Sequence, residues 1–260
     1  MQALLNVAVQ AARRAGDTAA GYFNRSERLE IHTKARNEFV TQVDRAAEEI
    51  IIDTIREYYP DHAFLAEESG AHGDSDHLWI IDPLDGTTNF VHAFPVFAVS
   101  IALQVRGELE VAVVYDPMRQ ELFTAARGQG AQLDGRRIRV SDHRDLDGAL
   151  IGTGFPYRSN AKWMDRYLQM LKKVLQQAAG IRRPGAAALD LAYVAAGRLD
   201  AFWEFGLREW DMAGGALLIL EAGGLVSDLH DDGDFLRSGN IVAGNPKAHD
   251  ALKKLLLGCV

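Results

Sequence analysis

The segment 79–90, WIIDPLDGTTNF, constrains the fold of this chain more than any other part of the sequence. Residues 78–81 are apolar and rich in branched side chains, so they predict a short buried strand that ends on Asp82. Pro83 then stops the ladder of backbone hydrogen bonds, because proline has no N–H to donate. In open α/β sheets, ligands bind at the carboxyl ends of the strands. The strand therefore places the Asp82 carboxylate where a ligand site is expected.

A second carboxylate, that of Asp85, lies one tight turn beyond Asp82. Two carboxylates this close repel each other unless a cation lies between them, and a hard divalent ion such as Mg²⁺ prefers oxygen ligands. Gly86 permits close backbone approach, and residues 87–89 suit a helix start, whose N–H groups favour an anion. Each dipeptide alone is also a common turn or helix cap. An acidic pair and an anion pocket within eight residues together indicate a phosphate held by a metal ion.

The composition excludes several classes of protein. A formal net charge of −8 argues against a general nucleic-acid binder, which as a rule carries a basic surface. Cys259 is the single cysteine, so no intramolecular disulfide is possible. The first residues lack a basic region ahead of their apolar positions, which argues against a signal peptide, and no apolar run approaches the roughly 20 residues of a membrane span. We therefore expect a cytoplasmic globular protein without membrane contact.

Periodicity and turn signals predict helices and strands along the whole chain. Helices are predicted near 4–22, 44–58, 161–179, 185–197 and 246–257, and strands near 32–35, 38–41, 63–65, 99–105, 111–115, 121–125, 150–153, 201–204 and 240–243. The succession of strands after residue 98 indicates an antiparallel or mixed sheet covered by helices. We divide the chain into an N-terminal α+β half, residues 1–145, and a C-terminal α/β half, residues 146–260, which form one compact unit.

Segment 79–90 as a whole resembles the signature of the inositol monophosphatase family, W-I-I-D-P-[IL]-D-G-T-T-N-F, and matches it throughout. Further family motifs occur in the family's order: V-T-x-x-D at 40–44, E-E-S at 67–69 with Ala66 replacing the family glycine, and W-D-x-A-[AG]-x…E-A-G-G at 210–224. The resemblance covers nearly the whole chain. It implies an α/β (α+β) fold, a layered αβαβα sandwich, with the main metal and phosphate motifs in the N-terminal half.

The resemblance implies a metal site for two to three Mg²⁺ ions. The family motifs identify Glu67, Asp82 and the Leu84 carbonyl as ligands of the ion that activates water. Asp82, Asp85 and Asp211 correspond to the ligands of the ion nearer the leaving oxygen, and a third, weaker ion lies beside Glu67. Without the resemblance, Glu67 would be interpreted as part of a solvated loop and Asp211 as a helix N-cap.

The resemblance also implies catalytic and phosphate-binding roles. In the family, the aspartate equivalent to Asp44 orients the first threonine of the signature, so Asp44 and Thr87 form a candidate water-activating pair. Thr87 and Glu67 orient the nucleophilic water, and backbone N–H groups of Gly86 and Thr87 hold phosphate oxygens. From its pattern alone, Asp44 is an N-cap or first-turn residue favoured by the helix dipole.

Residues of the substrate pocket are expected in both halves. Segment 185–188 resembles the family's G-[ST]-A-A, in which the backbone and small side chains of Gly185, Ala186 and Ala187 border the sugar pocket. Ala186 replaces the family's hydroxyl residue, so that side chain offers no hydrogen bond. Glu204 occupies the family position that accepts a hydrogen bond from a substrate hydroxyl, and Asp85 is also counted among the substrate-binding residues. Packing of an alanine-rich helix is the simpler interpretation of residues 186–188.

The implied function is Mg²⁺-dependent, lithium-sensitive hydrolysis of a small phosphate monoester by a homodimer. The preferred substrate is inositol monophosphate, with other sugar or nucleoside monophosphates tolerated. A related phosphatase of fructose bisphosphate, phosphoadenosine phosphate or histidinol phosphate would use the same site. A third interpretation, which bacterial members of the family allow, is a protein that binds the transcription antitermination or ribosome-assembly machinery and has secondary phosphatase activity. Arg182, Arg183 and Arg208 are candidate contacts for such a partner, although lone arginines are more often ordinary solvated charges.

Overall fold

The structure is a computed structural model that describes residues 1–23, 31–35, 38–156, 163–230 and 233–259, with the backbone alone described for 31–35 and 38–40. In chain order the helices are α1 (Gln2–Phe23), α2 (Gln42–Tyr58), α3 (Thr87–Val91), α4 (Met164–Leu175), α5 (Ala187–Ala195), α6 (Glu209–Glu221), α7 (Phe235–Ser238) and α8 (Pro246–Leu257). The strands are β1 (Ile31–Ala35), β2 (Glu38–Thr41), β3 (Ala63–Ala66), β4 (Gly70–His72), β5 (His77–Asp85), β6 (Ala98–Val105), β7 (Glu108–Asp116), β8 (Glu121–Ala126), β9 (Gly130–Leu133), β10 (Arg136–Arg137), β11 (Leu150–Thr153), β12 (Gly180–Arg182), β13 (Ala201–Phe205), β14 (Leu225–Ser227) and β15 (Asn240–Gly244).

Most of the strands belong to two mixed sheets. Among the described residues, eight strands make the larger sheet, in the order β10-β9-β8-β7-β6-β5-β3-β4, and five make the smaller, β12-β11-β13-β15-β14. In the larger sheet β3 runs parallel to β5, and in the smaller β11 runs parallel to β12 and β13. β1 and β2 form a separate antiparallel pair. Because β3 and β5 are parallel, the residues that follow them meet at one edge of the sheet.

Helices cover both faces of each sheet. α1 and α2 pack on the outer face of the larger sheet, where Ala11, Ile51 and Ile81 belong to one apolar core. α5 and α6 fill the space between the sheets, in a core that joins Phe123 of the larger sheet to Phe202 of the smaller. α4 and α8 enclose a third core on the far face of the smaller sheet. The expected α/β (α+β) fold, a layered αβαβα sandwich, is therefore confirmed.

Small residues allow α1 to lie close to the larger sheet. Five fully buried alanines face it at near-helical spacing: Ala8, Ala11, Ala12, Ala15 and Ala19. Gly16 extends this surface, because a Cβ atom at that position would lie 2.6 Å from the ring of Tyr115 on β7. The amphipathic helix predicted near residues 4–22 therefore has its apolar side on the sheet.

Asp44 and Asp211 lie inside the first turns of α2 and α6, not at the N-cap positions. At α2, Thr41 is the N-cap: its hydroxyl accepts a hydrogen bond from Val43 N (3.0 Å), and its own N–H donates to Asp44 (2.8 Å). At α6, Arg208 N donates to Asp211 at 2.7 Å. Asp44 and Asp211 are thus first-turn residues that cap their helices from within. The first-turn alternative for Asp44 is confirmed, and the N-cap interpretation of Asp211 is wrong.

β5 continues through Pro83 to Asp85, so the prediction that the strand ends on Asp82 is wrong. Its pairing with β6 shifts register at this point, since Asp82 pairs with Ser100 but Asp85 pairs with Ala98. The extra residue forms a bulge, which accommodates a proline that has no N–H to donate to the ladder. Both carboxylates are therefore delivered by one strand at one edge of the sheet.

The remaining predicted elements are present: β2, β11 and α8 have the predicted bounds, and the bounds of the others differ by a few residues. α4 is shorter than the predicted 161–179, and residues 161 and 162 lie outside the described residues. The core between the sheets contains residues from both 1–145 and 146–260, and the division into two halves stays a prediction. In the described parts of the chain, no helix combines the length and the apolarity needed to cross a membrane.

Candidate active site

Elements of both sheets converge on one cavity of about 150 Å³. In the larger sheet β3 and β5 end there, in the smaller sheet β11 and β13 end there, and α5 and α6 begin there. All expected site residues except Asp44 line this cavity: Glu67, Asp82, Leu84, Asp85, Gly86, Thr87, Gly185, Ala186, Ala187, Glu204 and Asp211. The fold therefore brings together residues that are up to 144 positions apart, from 67 to 211.

Three of the acidic residues that line the cavity form a close cluster. Asp82, Asp85 and Asp211 each offer one oxygen, and these oxygens lie within 4.8 Å of one another. Each carboxylate also accepts one backbone N–H, from Leu84 (3.0 Å), Ala188 (2.7 Å) and Arg208 (2.7 Å), respectively. These bonds fix the direction of the three side chains.

Burial and the neighbouring negative charges raise the pKa values of Asp82 and Asp85. Burial raises the pKa of Asp82 well above its ordinary value of 3.8, and the charges of Glu67, Asp85 and Asp211 raise it further. Burial also raises the pKa of Asp85, as does the charge of Asp211, while the hydrogen bond from Ala188 N lowers it. Asp82 is only 1% exposed, so water does little to screen this repulsion.

This donor set fits a divalent cation such as Mg²⁺. Mg²⁺ prefers oxygen ligands, and a positive charge between the carboxylates would favour their ionised forms. Glu67 and Leu84 line the same cavity beside the three aspartates. The residues that would hold such ions are therefore the five expected from the sequence: Glu67, Asp82, Leu84, Asp85 and Asp211.

Glu48, on α2, holds the turn that carries Glu67. Its carboxylate accepts hydrogen bonds from Glu68 N (2.8 Å) and Ser69 N (2.9 Å), and it is only 3% exposed. Glu67 N donates to Ile81 O at 3.1 Å, which fixes the same turn against β5. Sequence reasoning missed Glu48. The available signal was its position four residues after Asp44, on the inward face of the same helix.

The predicted water-activating pair is in direct contact. The Thr87 hydroxyl lies 3.0 Å from Asp44 Oδ1 and 3.1 Å from the carbonyl oxygen of Leu84. Asp44 Oδ2 accepts from both the N–H and the hydroxyl of Thr41, at 2.8 Å and 2.6 Å. Burial raises the pKa of Asp44, and the hydrogen bonds from Thr41 and Thr87 oppose that rise. Asp44 thus contacts Thr87, which lines the cavity, but does not line the cavity itself.

Gly86 is required by the backbone at the start of α3. Its φ of +97° lies in the left-handed region, and a Cβ atom would lie 2.9 Å from the carbonyl oxygen of Val96. Asn89 in the next turn donates to Val96 O (2.8 Å) and to Pro184 O (2.9 Å). The signature segment is thereby tied to the loop before α5, which carries Gly185.

The expected substrate residues other than Asp85 follow residue 145 in the chain and line the same cavity. Ala186 precedes α5 and Ala187 is its first residue, and the side chains of both are buried. Glu204 lies near the end of β13 and packs against Gly154, where a Cβ atom would be 1.9 Å from the Glu204 carboxyl carbon. Gly154 therefore makes room for the Glu204 carboxylate.

The cavity also contains residues to which sequence reasoning gave no site role. They are Thr88, Asn89, Thr153, Gly154, Asp190 and Leu207, together with Arg183, which was considered only as a partner contact. Asn89 lies within the signature, and Asp190 is the one charged residue of an otherwise apolar helix, so both carried a usable signal. Thr153 and Gly154 carried none, because only the tertiary arrangement places the end of β11 beside Glu204.

Comparison with known proteins agrees with this geometry. The sequence profile of the inositol monophosphatase family matches residues 1–258. The Nus factor SuhB of Pseudomonas aeruginosa is 57% identical over 257 residues, which cover 97% of this chain and 95% of that protein. The crystal structure of extragenic suppressor protein suhB from Bartonella henselae is 46% identical in sequence. The structural match covers 98% of this chain and 98% of that chain, with a TM-score of 0.94. An inositol monophosphate-bound structure of SaIMPase-II, from Staphylococcus aureus, shares 28% identity over 98% of this chain and 94% of that chain, with a TM-score of 0.82.

The expectation drawn from the signature is confirmed at the level of family. The profile match extends over almost the whole chain, and the similar relatives include proteins of the extragenic suppressor type. By sequence, by fold and by the cavity at which its motifs meet, this chain belongs to the inositol monophosphatase family and has a phosphatase fold.

Proposed function

We propose that this chain is a Mg²⁺-dependent phosphatase that hydrolyses inositol monophosphate to the alcohol and inorganic phosphate. The observation that carries the proposal is the meeting, in one cavity, of the Asp82, Asp85 and Asp211 carboxylates with the Thr87 hydroxyl. The three carboxylates suit hard cations, and the threonine hydroxyl suits a water molecule. The metal site would take two to three Mg²⁺ ions, and we expect Li⁺ to inhibit turnover.

Mg²⁺ bound here would neutralise the phosphate dianion, make water more acidic and stabilise the leaving oxygen. Glu67, Asp82 and the Leu84 carbonyl would hold the ion on the water side. Asp82, Asp85 and Asp211 would hold the ion on the side of the leaving group. This division is the one that the family resemblance implies, and it agrees with the contact between the Leu84 carbonyl and the Thr87 hydroxyl at 3.1 Å.

The chain's own residues orient the attacking water. The Thr87 hydroxyl has one proton, which points to Asp44 or to the Leu84 carbonyl, so its oxygen has a lone pair left to accept a hydrogen bond from water. Asp44 is held by two donations from Thr41 and keeps Thr87 in this orientation. Glu67 would accept a hydrogen bond from the second hydrogen of the water. The backbone N–H groups of Gly86 and Thr87 would bind phosphate oxygens.

The substrate wall supports a polyol ester. Glu204 would accept a hydrogen bond from a hydroxyl of the alcohol portion, and Asp85, Gly185, Ala186 and Ala187 would border its ring. The relative SaIMPase-II has been solved with inositol monophosphate bound, which supports the same substrate class here. Fructose bisphosphate, phosphoadenosine phosphate and histidinol phosphate are the alternative substrates of the same site, and we expect other sugar or nucleoside monophosphates to react more slowly as secondary substrates.

The deciding experiment measures phosphate release from this panel of esters with and without Mg²⁺. We expect the native chain to hydrolyse inositol monophosphate fastest and only with Mg²⁺, and the variant Asp85→Asn to lose this activity. Asp116→Asn is the matched control, because Asp116 is a fully buried aspartate at the end of β7 outside the cavity lining. Mg²⁺-independent release, or full activity of Asp85→Asn, would contradict the proposal.

A second candidate function is binding to the transcription antitermination machinery. The observation that favours it is the name Nus factor SuhB, which the 57% identical Pseudomonas aeruginosa relative carries. Arg182 and Arg208 remain candidate contacts for this partner. In a pull-down with purified antitermination factors, capture that persists in Asp82→Asn would assign this role to a surface that does not depend on metal binding. Failure to capture any factor would remove the candidate.

We also propose that the chain forms a homodimer in the cytoplasm. Large apolar side chains are exposed near the cavity and on α4, namely Phe155 (41%), Leu168 (50%) and Leu175 (57%). Leu168 and Leu175 are two helical turns apart and share one face, and such exposed apolar surface marks interaction sites. Light scattering should give twice the chain mass, and Leu168→Glu combined with Leu175→Glu should give the single-chain mass.

A further inference from the structure

Asp190 is a buried acid without an evident structural task. It lies in the first turns of α5, is 1% exposed and lines the cavity. Its Oδ1 atom is enclosed by protein and has no hydrogen-bond partner among the described residues. The neighbouring residues of α5 are apolar and fully buried, among them Ala188, Leu189 and Leu191. An apolar residue would suit this helix better, because a buried carboxyl oxygen without a donor costs free energy.

The charges around Asp190 come from the same cavity. Burial raises the pKa of Asp190 well above its ordinary value of 3.8, and the charges of Glu204 and Asp85 raise it further, while Arg183 lowers it. Glu204, Asp85 and Arg183 all line the cavity. Asp190 therefore belongs to the wall on the Glu204 side, where the alcohol portion of a substrate would lie. The cavity is the space beside Asp190 that can supply the missing donor.

We propose that Asp190 is a specificity-determining residue whose carboxyl group binds a hydroxyl of the substrate's alcohol portion. The inference rests on the proposed phosphatase function and adds to it the class of ester that is preferred. A carboxyl group turns easily about its Cβ–Cγ bond, so an oxygen can be presented to the cavity when a hydroxyl arrives. A hydroxyl both donates and accepts, so it pairs with the carboxyl in either protonation state.

The same wall selects against some of the alternative substrates. Glu204 places a negative charge beside Asp190, where the alcohol portion would lie, and this charge disfavours a second phosphate group there. Bisphosphate esters are therefore expected to react more slowly than polyol monophosphates. Neutral alcohol portions with several hydroxyls satisfy both acids at once.

The test compares two esters that differ only in their hydroxyls: myo-inositol 1-phosphate and cyclohexyl phosphate. Asp190→Ala should lower kcat/KM for myo-inositol 1-phosphate about 10- to 100-fold, mainly through KM, as expected for loss of one hydrogen bond to a charged or strongly polar group. For cyclohexyl phosphate, kcat/KM should change less than about twofold, because its ring has no hydroxyl that could hydrogen-bond to residue 190. Asp190→Asn keeps a hydrogen-bonding group and should recover most of the loss.

Asp228→Asn is the control for removing a buried carboxylate elsewhere, since Asp228 is 3% exposed and follows β14 outside the cavity lining. It should change both esters equally. Equal losses for both esters in Asp190→Ala would overturn the proposal and assign Asp190 a structural role. If the native chain hydrolyses neither ester, the proposed function fails, and calorimetric binding of myo-inositol 1-phosphate with Ca²⁺ then decides. Binding 10- to 100-fold weaker in Asp190→Ala would support the residue's role, and equal binding would refute it.

Discussion

The Thr87 hydroxyl lies 3.0 Å from Asp44 Oδ1, although the two residues are 43 positions apart in the sequence. Thr41 holds the other oxygen of the same carboxylate with two donations. Asp44 therefore completes the cap of α2 and accepts a hydrogen bond from the hydroxyl of Thr87, which lines the cavity. Under the proposed function, one side chain thus links the cap of a helix to the orientation of the hydroxyl that would hold the attacking water.

This arrangement predicts a defect in turnover for Asp44→Asn. The new amide oxygen would accept from Thr41, so the amide NH₂ would face Thr87 and occupy the lone pair needed for the water. We expect kcat to fall at least about 100-fold, with KM within about threefold and little change in melting temperature. Thr87→Ser keeps the hydroxyl and should stay within about tenfold of the native kcat. Native turnover in Asp44→Asn would show that the pair plays no part in the reaction.

Glu48 should matter for stability and for metal binding together. Glu48→Ala leaves the N–H groups of Glu68 and Ser69 without their acceptor in a partly buried turn. Each lost acceptor costs about 1–3 kcal/mol, so the free energy of unfolding should fall by about 2–6 kcal/mol. Affinity for Mg²⁺ should fall as well, because the turn carries Glu67. Both quantities follow from urea denaturation and from calorimetric titration with Mg²⁺.

The control for that variant lies on the same helix. Glu49 is adjacent to Glu48 but exposed, so Glu49→Ala should change stability by no more than about 0.5 kcal/mol. If Glu48→Ala weakens stability and leaves Mg²⁺ affinity intact, the turn does not position Glu67.

The acidic cluster predicts that metal removal makes stability depend on pH. The pKa values of Asp82 and Asp85 are raised above 3.8 in the folded chain, so the folded state without metal binds more protons than the unfolded chain. Their contribution is fully present below the ordinary pKa and is lost as the pH rises through the folded pKa. After chelation, the protein should therefore lose stability as the pH rises from about 4 towards neutrality.

Mg²⁺ should reverse that loss. At 100 times its dissociation constant it adds about 2.7 kcal/mol, so the melting temperature should rise more at about pH 8 than at about pH 5. Asp82→Asn removes one of the repelling charges and should flatten the pH dependence of the chelated protein. If the stability of the chelated protein depends on pH equally in the native chain and in Asp82→Asn, groups other than Asp82 cause the dependence.

Gly154→Ala should alter substrate binding while the fold is retained. The added Cβ would lie 1.9 Å from the Glu204 carboxyl carbon, so the glutamate must turn away from its present position. KM for myo-inositol 1-phosphate should rise about tenfold, as for loss of one hydrogen bond to a charged group. Gly21→Ala is the matched control on α1, where an added Cβ meets no atom within 4 Å, and it should stabilise the protein by about 0.5–1 kcal/mol. An unchanged KM in Gly154→Ala would show that Glu204 does not contact the ester.

Much of the site was predictable because its motifs are local in sequence. The segment 79–90 supplies two carboxylates, a left-handed glycine and the threonine hydroxyl, and each of them lies at the cavity. The αβαβα layers followed from the resemblance to the family. Pro83 misled the strand prediction, because a bulge tolerates a proline that a regular ladder would not.

Other features depend on contacts that no local pattern contains. Glu48 acts on residues 20 and 21 positions away, and Asn89 donates to a carbonyl 95 positions away. Asp190 is the one charged residue of an otherwise apolar helix, but only the tertiary arrangement places it in the lining of the cavity that contains Glu204. Such contacts depend on how the layers pack against one another, and local sequence patterns do not predict that packing for individual residues.

The hydrogen bond from Ala188 N to Asp85 spans 103 positions and has a consequence for synthesis of the chain. A ribosome makes Asp82 and Asp85 long before it makes Ala188 and Asp211, so a growing chain holds the repelling pair without the groups that orient and complete it. Cation binding by the nascent N-terminal half should therefore be weak. The acidic cluster would mature only when the later layers dock, and the appearance of tight Mg²⁺ binding during translation would report the completion of folding.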